Sequence, residues 1–354
     1  MTRLQTDGRV ASGTLLEISD LRTHFSTPRG VVRAVDGVSF TLERGKALGI
    51  VGESGSGKTV LSRTIMGLTP RRGTLLSGSV RFEGKEILGL APKDMRGVWG
   101  REMAMIFQDP MTSLNPVMKI GRQIEEPLRT HLDMSRADAT ATAARLLRDV
   151  KIPEAERRLQ QYPHELSGGM RQRVMIAIAM ACGPTMLFAD EPTTALDVTV
   201  QAQILDLIRE QRTERNMSLI LVTHDLGVVA GHTDEIAVMY GGKLVEKAPT
   251  ARLFSSMRMP YTEALLQSIP KLDDASHTRL ATIPGRPPDL VNPPVGCRFA
   301  PRCPTAQERC RHEEPPLVVT PDDPSHSYAC WFPVGSPEHR AARERLDAEK
   351  GRAA

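Results

Sequence analysis

Residues 52–59 read Gly-Glu-Ser-Gly-Ser-Gly-Lys-Thr, and this octapeptide constrains the fold more than any other segment. It fills the pattern G-x-x-x-x-G-K-[ST], which has meaning only when a strand precedes it and a helix follows. The preceding run, Ala47-Leu48-Gly49-Ile50-Val51, is short and apolar, as a buried strand should be. The following run, Val60 to Met66, can begin a helix. Gly52, Gly55 and Gly57 let the backbone curl so that its N–H groups point inward at phosphate oxygens. Ser54, Ser56 and Val60 complete the cradle, and the helix start near Lys58 adds its positive end. Lys58 is placed to reach the outer phosphates, and the Thr59 hydroxyl to ligate Mg²⁺.

A second motif lies downstream. Met186 to Ala189 is an apolar strand that ends in adjacent carboxylates, Asp190 and Glu191. Asp190 is expected to hold Mg²⁺ and Glu191 to polarise an attacking water. Around these motifs, short apolar runs alternate with helical stretches. Leu15–Ile18 and Val38–Leu42 read as an antiparallel entry sheet, followed by strands at Val80–Phe82, Ala104–Phe107, Thr185–Ala189 and Ser218–Val222. From Ile120 to about Arg158 the pattern is helical, with Ile120, Ile124 and Leu128 one turn apart. This order implies an α/β fold with a parallel sheet covered on both faces.

Composition excludes some classes. The 354-residue chain is long enough for two or three units, and 40% apolar residues suffice for proper cores. No run of about 18 apolar residues offers a membrane span. The polar start, Met1 to Gly13, is not read as a secretory signal. The net charge of +4 is too mild to demand nucleic acid.

Three further features sort the phosphate-loop classes. Leu166-Ser167-Gly168-Gly169-Met170 can open a helix as a second anion cradle, or serve merely as its N-cap. Asp197 follows the carboxylates in Thr194-Ala195-Leu196-Asp197, and His224 sits just after the strand that ends at Val222. With the phosphate loop and Gln108, these motifs resemble, in order and separation, the ATP-binding subunit of an ABC transporter. The resemblance covers about Leu15 to Thr250. Phe107 to Pro116, Pro260 to Leu266, Ile283-Pro284-Gly285 and Gly296 to Pro304 are similar to the oligopeptide/dipeptide importer branch.

The resemblance implies an ABC-type ATPase with a mixed parallel core sheet, an antiparallel β subdomain, and a helical subdomain at about residues 110–180. In that family two cassettes meet head to tail, with ATP between the phosphate loop of one and the Ser-Gly-Gly segment of the other. Carried over, Gly55, Gly57, Lys58 and Thr59 bind ATP in cis, while Ser167, Gly168 and Gly169 cap the partner's ATP. Glu191 orients the water, His224 holds the γ-phosphate, and Gln108 contacts Mg²⁺ while reporting to the membrane subunit. Asp197 belongs to the nucleotide interface, and Phe25 is the candidate to stack on adenine. Met170 departs from the family's usual Gln at that position, removing one polar contact but not the phosphate cradle. The implied partners are a second ATPase subunit (identical or paralogous), two permeases and an extracytoplasmic binding protein, at the cytoplasmic face of the membrane.

The composition changes after about Thr250. Nine prolines between Pro284 and Pro316 disfavour long helices. Cys297, Cys303, Cys310 and Cys330 lie in this stretch, whereas Cys182 stands alone in an apolar run and reads as core. Four clustered thiols in a chain without an export signal point to metal, either zinc or an iron–sulfur cluster. The importer branch carries a similar cysteine motif, which implies a [4Fe–4S] cluster here, with zinc or unmetallated thiols as the alternatives. The expected organisation is a flexible tail at 1–14, the ATPase unit at 15–250, a Cys/Pro-rich C-terminal extension at 251–334, and a charged tail at 335–354 forming a frayed helix or a disordered end. Two other readings compete. One is a soluble ABC-type ATPase acting on nucleic acid or in regulation; the other is an importer of a different solute, such as nickel.

Overall fold

The structure, a computed structural model, describes residues 13–193, 197–269 and 282–353. Most of the expected 1–14 tail, and Thr194 to Leu196, therefore lie outside the described residues. The chain runs through β1 (Thr14–Thr27), β2 (Gly30–Glu43), β3 (Ala47–Val51), the helix Lys58–Ile65, β4 (Thr74–Phe82), β5 (Lys85–Glu86) and β6 (Met103–Ile106). A helical region follows, with Ile120–Leu132, Arg136–Asp149, Ala155–Arg158 and Gly168–Met180 as its main members. Then come β7 (Met186–Asp190), helix Val198–Arg215, β8 (Ser218–Thr223), β9 (Glu235–Tyr240) and β10 (Lys243–Pro249). Helices Thr250–Ser256 and Pro260–Gln267 begin the extension, and β11 (Val318–Thr320), β12 (Asp323–Tyr328) and helix Pro337–Ala353 close it.

Two sheets result. The smaller is antiparallel, in the order β2-β1-β4-β5, and the larger runs β11-β12-β10-β9-β3-β8-β7-β6. In the larger sheet β6, β7, β8, β3 and β9 are mutually parallel, while β10, β12 and β11 are antiparallel additions. Side-chain alternation along each central strand divides the core in two. Leu48, Ile50, Met186, Phe188, Ile220 and Val222 face the small sheet and the helix Lys58–Ile65. Ala47, Val51, Leu187, Ala189, Leu219 and Leu221 face the helical region. The strands are buried on both faces, which explains why they read as unbroken apolar runs.

The stretch expected as helical from Ile120 to Arg158 is three helices. Asp133 (φ 50°), Lys151 (φ 60°) and Glu154 (φ 53°) adopt left-handed backbone at the breaks. No glycine marks these turns in the sequence. Of the two forms expected for the tail after residue 335, the structure has the helix, Pro337–Ala353. The extension also joins the main sheet through β12, which pairs with β10 at Glu246↔Tyr328 and Lys247↔Ser327.

Candidate active site

The phosphate loop connects β3 to the helix Lys58–Ile65, so it emerges at the carboxyl edge of the sheet, where open α/β folds bind ligands. Gly57 caps the helix at φ 103°, and a Cβ there would meet the Ala34 carbonyl oxygen at 2.2 Å. Gly55, at φ 80°, faces open space instead, with nothing within 4 Å of a built Cβ. The first glycine is demanded by the protein; the second leaves the loop free for a ligand to approach its backbone.

Lys58 is buried, and its Nζ donates to the carbonyls of Gly52 (2.7 Å) and Glu53 (3.0 Å). Burial pulls its pKa below the ordinary value, opposed by the charges of Glu191, Asp190 and Glu53. An anionic phosphate entering the loop restores the environment this ammonium lacks. The Thr59 hydroxyl donates to Asp190 Oδ1 at 3.0 Å. Asp190 Oδ2 is buried and has no hydrogen-bond partner among the described residues. Burial raises the Asp190 pKa, with the neighbouring Glu191 charge adding to the effect. A hydroxyl beside an orphaned, buried carboxylate oxygen is a donor set that fits hydrated Mg²⁺. Ser56 Oγ is likewise buried and unpartnered, whereas Ser56 N donates to the Glu53 carbonyl at 3.2 Å.

Glu191 follows β7 in left-handed backbone, φ 46°. Its N–H donates to the Val222 carbonyl on β8 at 2.8 Å, which holds the bend. Gln108 Nε2 donates to Glu191 Oε2 at 3.0 Å, and His224 Nδ1 lies 3.5 Å from the same oxygen. A glutamate held in this costly conformation at a strand end, between an amide and an imidazole, is a site where strain is stored for function. One cavity of about 1050 Å³ joins these parts. Phe25, Ser54, Gly55, Gly57, Lys58, Thr59, Val60, Gln108, Glu191 and His224 all line it.

Four residues expected at the nucleotide interface lie away from this cavity. Ser167 caps the helix Gly168–Met180, its Oγ accepting from Met170 N at 3.4 Å, and Ser167 and Gly168 are exposed. Asp197 caps the helix Val198–Arg215, accepting from Val200 N at 2.9 Å, and is also exposed. Neither these residues nor Gly169 line the cavity of their own chain.

Sequence reasoning missed the partners of Glu53. Arg302, from the extension, donates to its Oε2 (2.5 Å) and Oε1 (2.9 Å), and Tyr261 Oη accepts from Glu53 N at 2.9 Å. Both residues stood within motifs recognised in the sequence, but nothing local signals a contact across 249 positions.

The four tail cysteines come together. Cys297 N donates to the Cys310 carbonyl at 2.8 Å, and the thiol of Cys330 feels those of Cys297, Cys303 and Cys310. Burial pushes Cys297 up to about 11 and raises Cys303 and Cys330 as well. Yet among the described residues no group of three or more His, Cys, Asp or Glu side chains is arranged to hold a metal ion. The cage for [4Fe–4S] or zinc expected of Cys297, Cys303, Cys310 and Cys330 is therefore not assembled among the described residues, where Cys310 is buried and the other three are half-buried. Cys182 is half-buried in the helical region, its Sγ 3.4 Å from the Pro127 carbonyl.

A phosphate loop facing a hydroxyl–carboxylate pair, with a strained glutamate above it, defines a nucleoside-triphosphate hydrolase of the phosphate-loop class. Comparison with known proteins narrows the class. Residues 35–194 match the family model described as ABC transporter, and residues 245–310 match that described as Oligopeptide/dipeptide transporter, C-terminal region. The chain is 48% identical to the oligopeptide transport ATP-binding protein OppD of Salmonella typhimurium, over 94% of this chain and 98% of that one. It is 50% identical to OppD of Bacillus subtilis over 90% of this chain and 88% of that one. A putative peptide import ATP-binding protein of Brucella abortus is 51% identical over 86% and 92%. The dimeric structure of the bacterial ABC transporter cassette MJ0796 superposes with a TM-score of 0.60 at 25% identity, covering 66% of this chain and 98% of that one. The chain belongs to the ABC transporter ATPases, in the oligopeptide/dipeptide transporter family.

Proposed function

We propose that this protein hydrolyses ATP to drive peptide import, bound peripherally to two permeases at the cytoplasmic face of the membrane. The observation that carries the ATPase site is the single cavity joining Lys58, Thr59, Gln108, Glu191 and His224. The peptide cargo is supported by the peptide-transport relatives and by the matched C-terminal region. Peripheral attachment accords with the described residues, where no helix is long and apolar enough to cross a membrane. The working division is a cassette at 15–250, with its helical part at about 110–180, an extension at 251–334 and a terminal segment from 335.

In this reading Gly52 to Val60 and Lys58 grip the triphosphate, and Phe25 stacks on the base. Thr59, Asp190 and Gln108 would hold Mg²⁺, which would supply charge neutralisation when bound. Glu191 accepts the proton of the attacking water through the carboxylate that Gln108 and His224 orient. His224 then faces the terminal phosphate. Positioning and charge stabilisation carry most of the rate in such chemistry. Ser167, Gly168, Gly169 and Asp197 complete the site of a second cassette, so a lone chain lacks a closed site.

The four tail cysteines are read as ligands to one structural [4Fe–4S] cluster, with zinc as the second reading. Support comes from four converging thiols in a proline-rich segment, where coordination free energy becomes folding free energy. Ligation must draw the thiols closer and strip their protons.

Co-purification tests the functional reading. Affinity-tagged protein from its native membranes should bring down two permeases and hydrolyse ATP as a complex. Recovery with nucleic acid or ribosomes, without permeases, overturns it.

A further inference from the structure

The C-terminal extension also borders the nucleotide cavity. Its Leu265, Ile283, Pro287 and Leu290 line the same space as Phe25 and Val32. Phe25 and Val32 are register partners at the end of the β1–β2 hairpin. The extension is tied to that hairpin, because Arg33 N donates to the Leu290 carbonyl at 3.0 Å. At Gly30 a Cβ would meet Val291 Cγ1 at 2.7 Å, so the Val291 side chain lies against the hairpin turn.

A second set of contacts fixes this wall to the phosphate loop. Arg302, with its side chain 4% exposed, forks onto both carboxylate oxygens of Glu53. The same guanidinium donates to the carbonyls of Pro284 (2.8 Å) and Ile283 (3.1 Å) and to Tyr240 Oη (3.2 Å). Tyr261 accepts from Glu53 N, and the Glu53 carbonyl receives Lys58. Tyr240, Tyr261 and Phe299 brace the cluster, with ring centroids 4.5–5.3 Å apart. Glu53 is a negative charge inside a loop meant for a polyanion. Left unpaired it repels the triphosphate; Arg302 neutralises it with a planar, two-point grip that lysine cannot reproduce.

We propose that the extension completes the nucleotide site, with Ile283 and Leu290 forming a second apolar wall for the nucleobase and Arg302 acting as the positioning residue that holds wall and phosphate loop in one frame. The proposal rests on the placement of the base beside Phe25 made above. The wall can touch only the base end of the ligand. Its loss is therefore felt by a nucleotide and not by a bare triphosphate. Loss of Arg302 is felt by both, because it leaves Glu53 facing the phosphates.

The test compares Mg²⁺-ATP with Mg²⁺-tripolyphosphate, binding each to the full chain by calorimetry, with folding checked by thermal unfolding. Ile283 and Leu290 are only half-buried, so alanine there leaves the core intact. The double variant Ile283→Ala/Leu290→Ala should weaken ATP about tenfold and leave tripolyphosphate unchanged, the scale expected for losing a few methylene contacts. Unchanged ATP affinity, or an equal loss for both ligands, overturns the wall. Arg302→Met should weaken both ligands about tenfold, and adding Glu53→Gln should restore tripolyphosphate binding by removing the stranded charge. No loss in Arg302→Met, or no rescue by the second change, overturns the positioning role. Phe25→Ala separates the two layers of the argument. If it alone weakens ATP selectively, the extension wall falls and the base placement stands. If neither it nor the wall variant discriminates the ligands, the base placement falls as well.

Discussion

Replacing Glu191 by Gln isolates the chemical step from everything around it. The amide keeps the shape of the carboxylate and can still accept from Gln108 Nε2, now 3.0 Å from Oε2. The left-handed backbone at φ 46° is equally tolerable for Gln, and the N–H bond to Val222 does not involve the side chain. What is lost is the proton acceptor. A positioned general base contributes about 10²–10⁴-fold, or about 3–5 kcal/mol of barrier at about 1.36 kcal/mol per decade. ATP binding should hold or tighten, because one negative charge leaves the phosphate site. Steady-state phosphate release by the assembled complex, measured beside equilibrium nucleotide binding, checks both halves. A Gln variant that turns over at near the wild-type rate refutes the assignment. Glu191→Gly makes the complementary test. It should be as inactive as Gln yet more stable to heat by about 1 kcal/mol, because Gly adopts φ above zero without the penalty other residues bear. A less stable Gly variant contradicts the view that strain is stored at this position.

Other perturbations reach other parts of the site. Lys58→Ala should weaken ATP binding itself, read by calorimetry, since it removes the buried charge facing the phosphates; unchanged affinity counts against the phosphate-loop assignment. Hydrolysis by the isolated chain should be slow and rise with protein concentration, because Ser167 and Asp197 lie away from the chain's own cavity. Concentration-independent turnover by a monomer counts against that. Anaerobic protein should be brown and carry iron and sulfide, and any one of Cys297, Cys303, Cys310 or Cys330 changed to Ser should bleach it. Colourless protein with one zinc moves the site to the second reading. In metal-free protein the Cys297 thiol is raised from 9.0 to about 11. The folded state then binds more protons than the unfolded one between those values. Stability is thus full below about pH 9 and falls as pH rises towards 11. Thermal unfolding against pH checks this, and Cys297→Ser should flatten the fall.

The sequence carried the parts of this site that are local. The phosphate loop, the strand ending in Asp190 and Glu191, and the cap at Ser167 each depend on neighbours within a few residues, so their patterns are legible in a short window. The breaks at Asp133, Lys151 and Glu154 were not, because residues other than glycine adopt φ above zero there and leave no signature. Nor was the pairing of β12 with β10, since its register is set by burial of His326 against Glu246 (2.8 Å) some 80 positions away. The bridge from Arg302 to Glu53 is of the same kind. Each residue sits in a recognisable motif, but the contact exists only once the extension has folded back over the loop. The cysteines show the converse limit. Their grouping in one stretch of the tail was legible from spacing, whereas the desolvation that raises the thiols of Cys297, Cys303 and Cys330 depends on packing that spacing does not reveal.

The account's central claim is that ATP hydrolysis at this site drives peptide across a membrane. The most direct measurement places the protein with its permeases and a second cassette in sealed vesicles, cytoplasmic face outward. A labelled oligopeptide and its binding protein are enclosed within, and ATP is added outside. The account predicts ATP-dependent export of label from the lumen to the outer, cytoplasmic side, abolished by Lys58→Ala and by Glu191→Gln. Steady hydrolysis with no movement of peptide, under conditions where the binding protein is loaded, contradicts it.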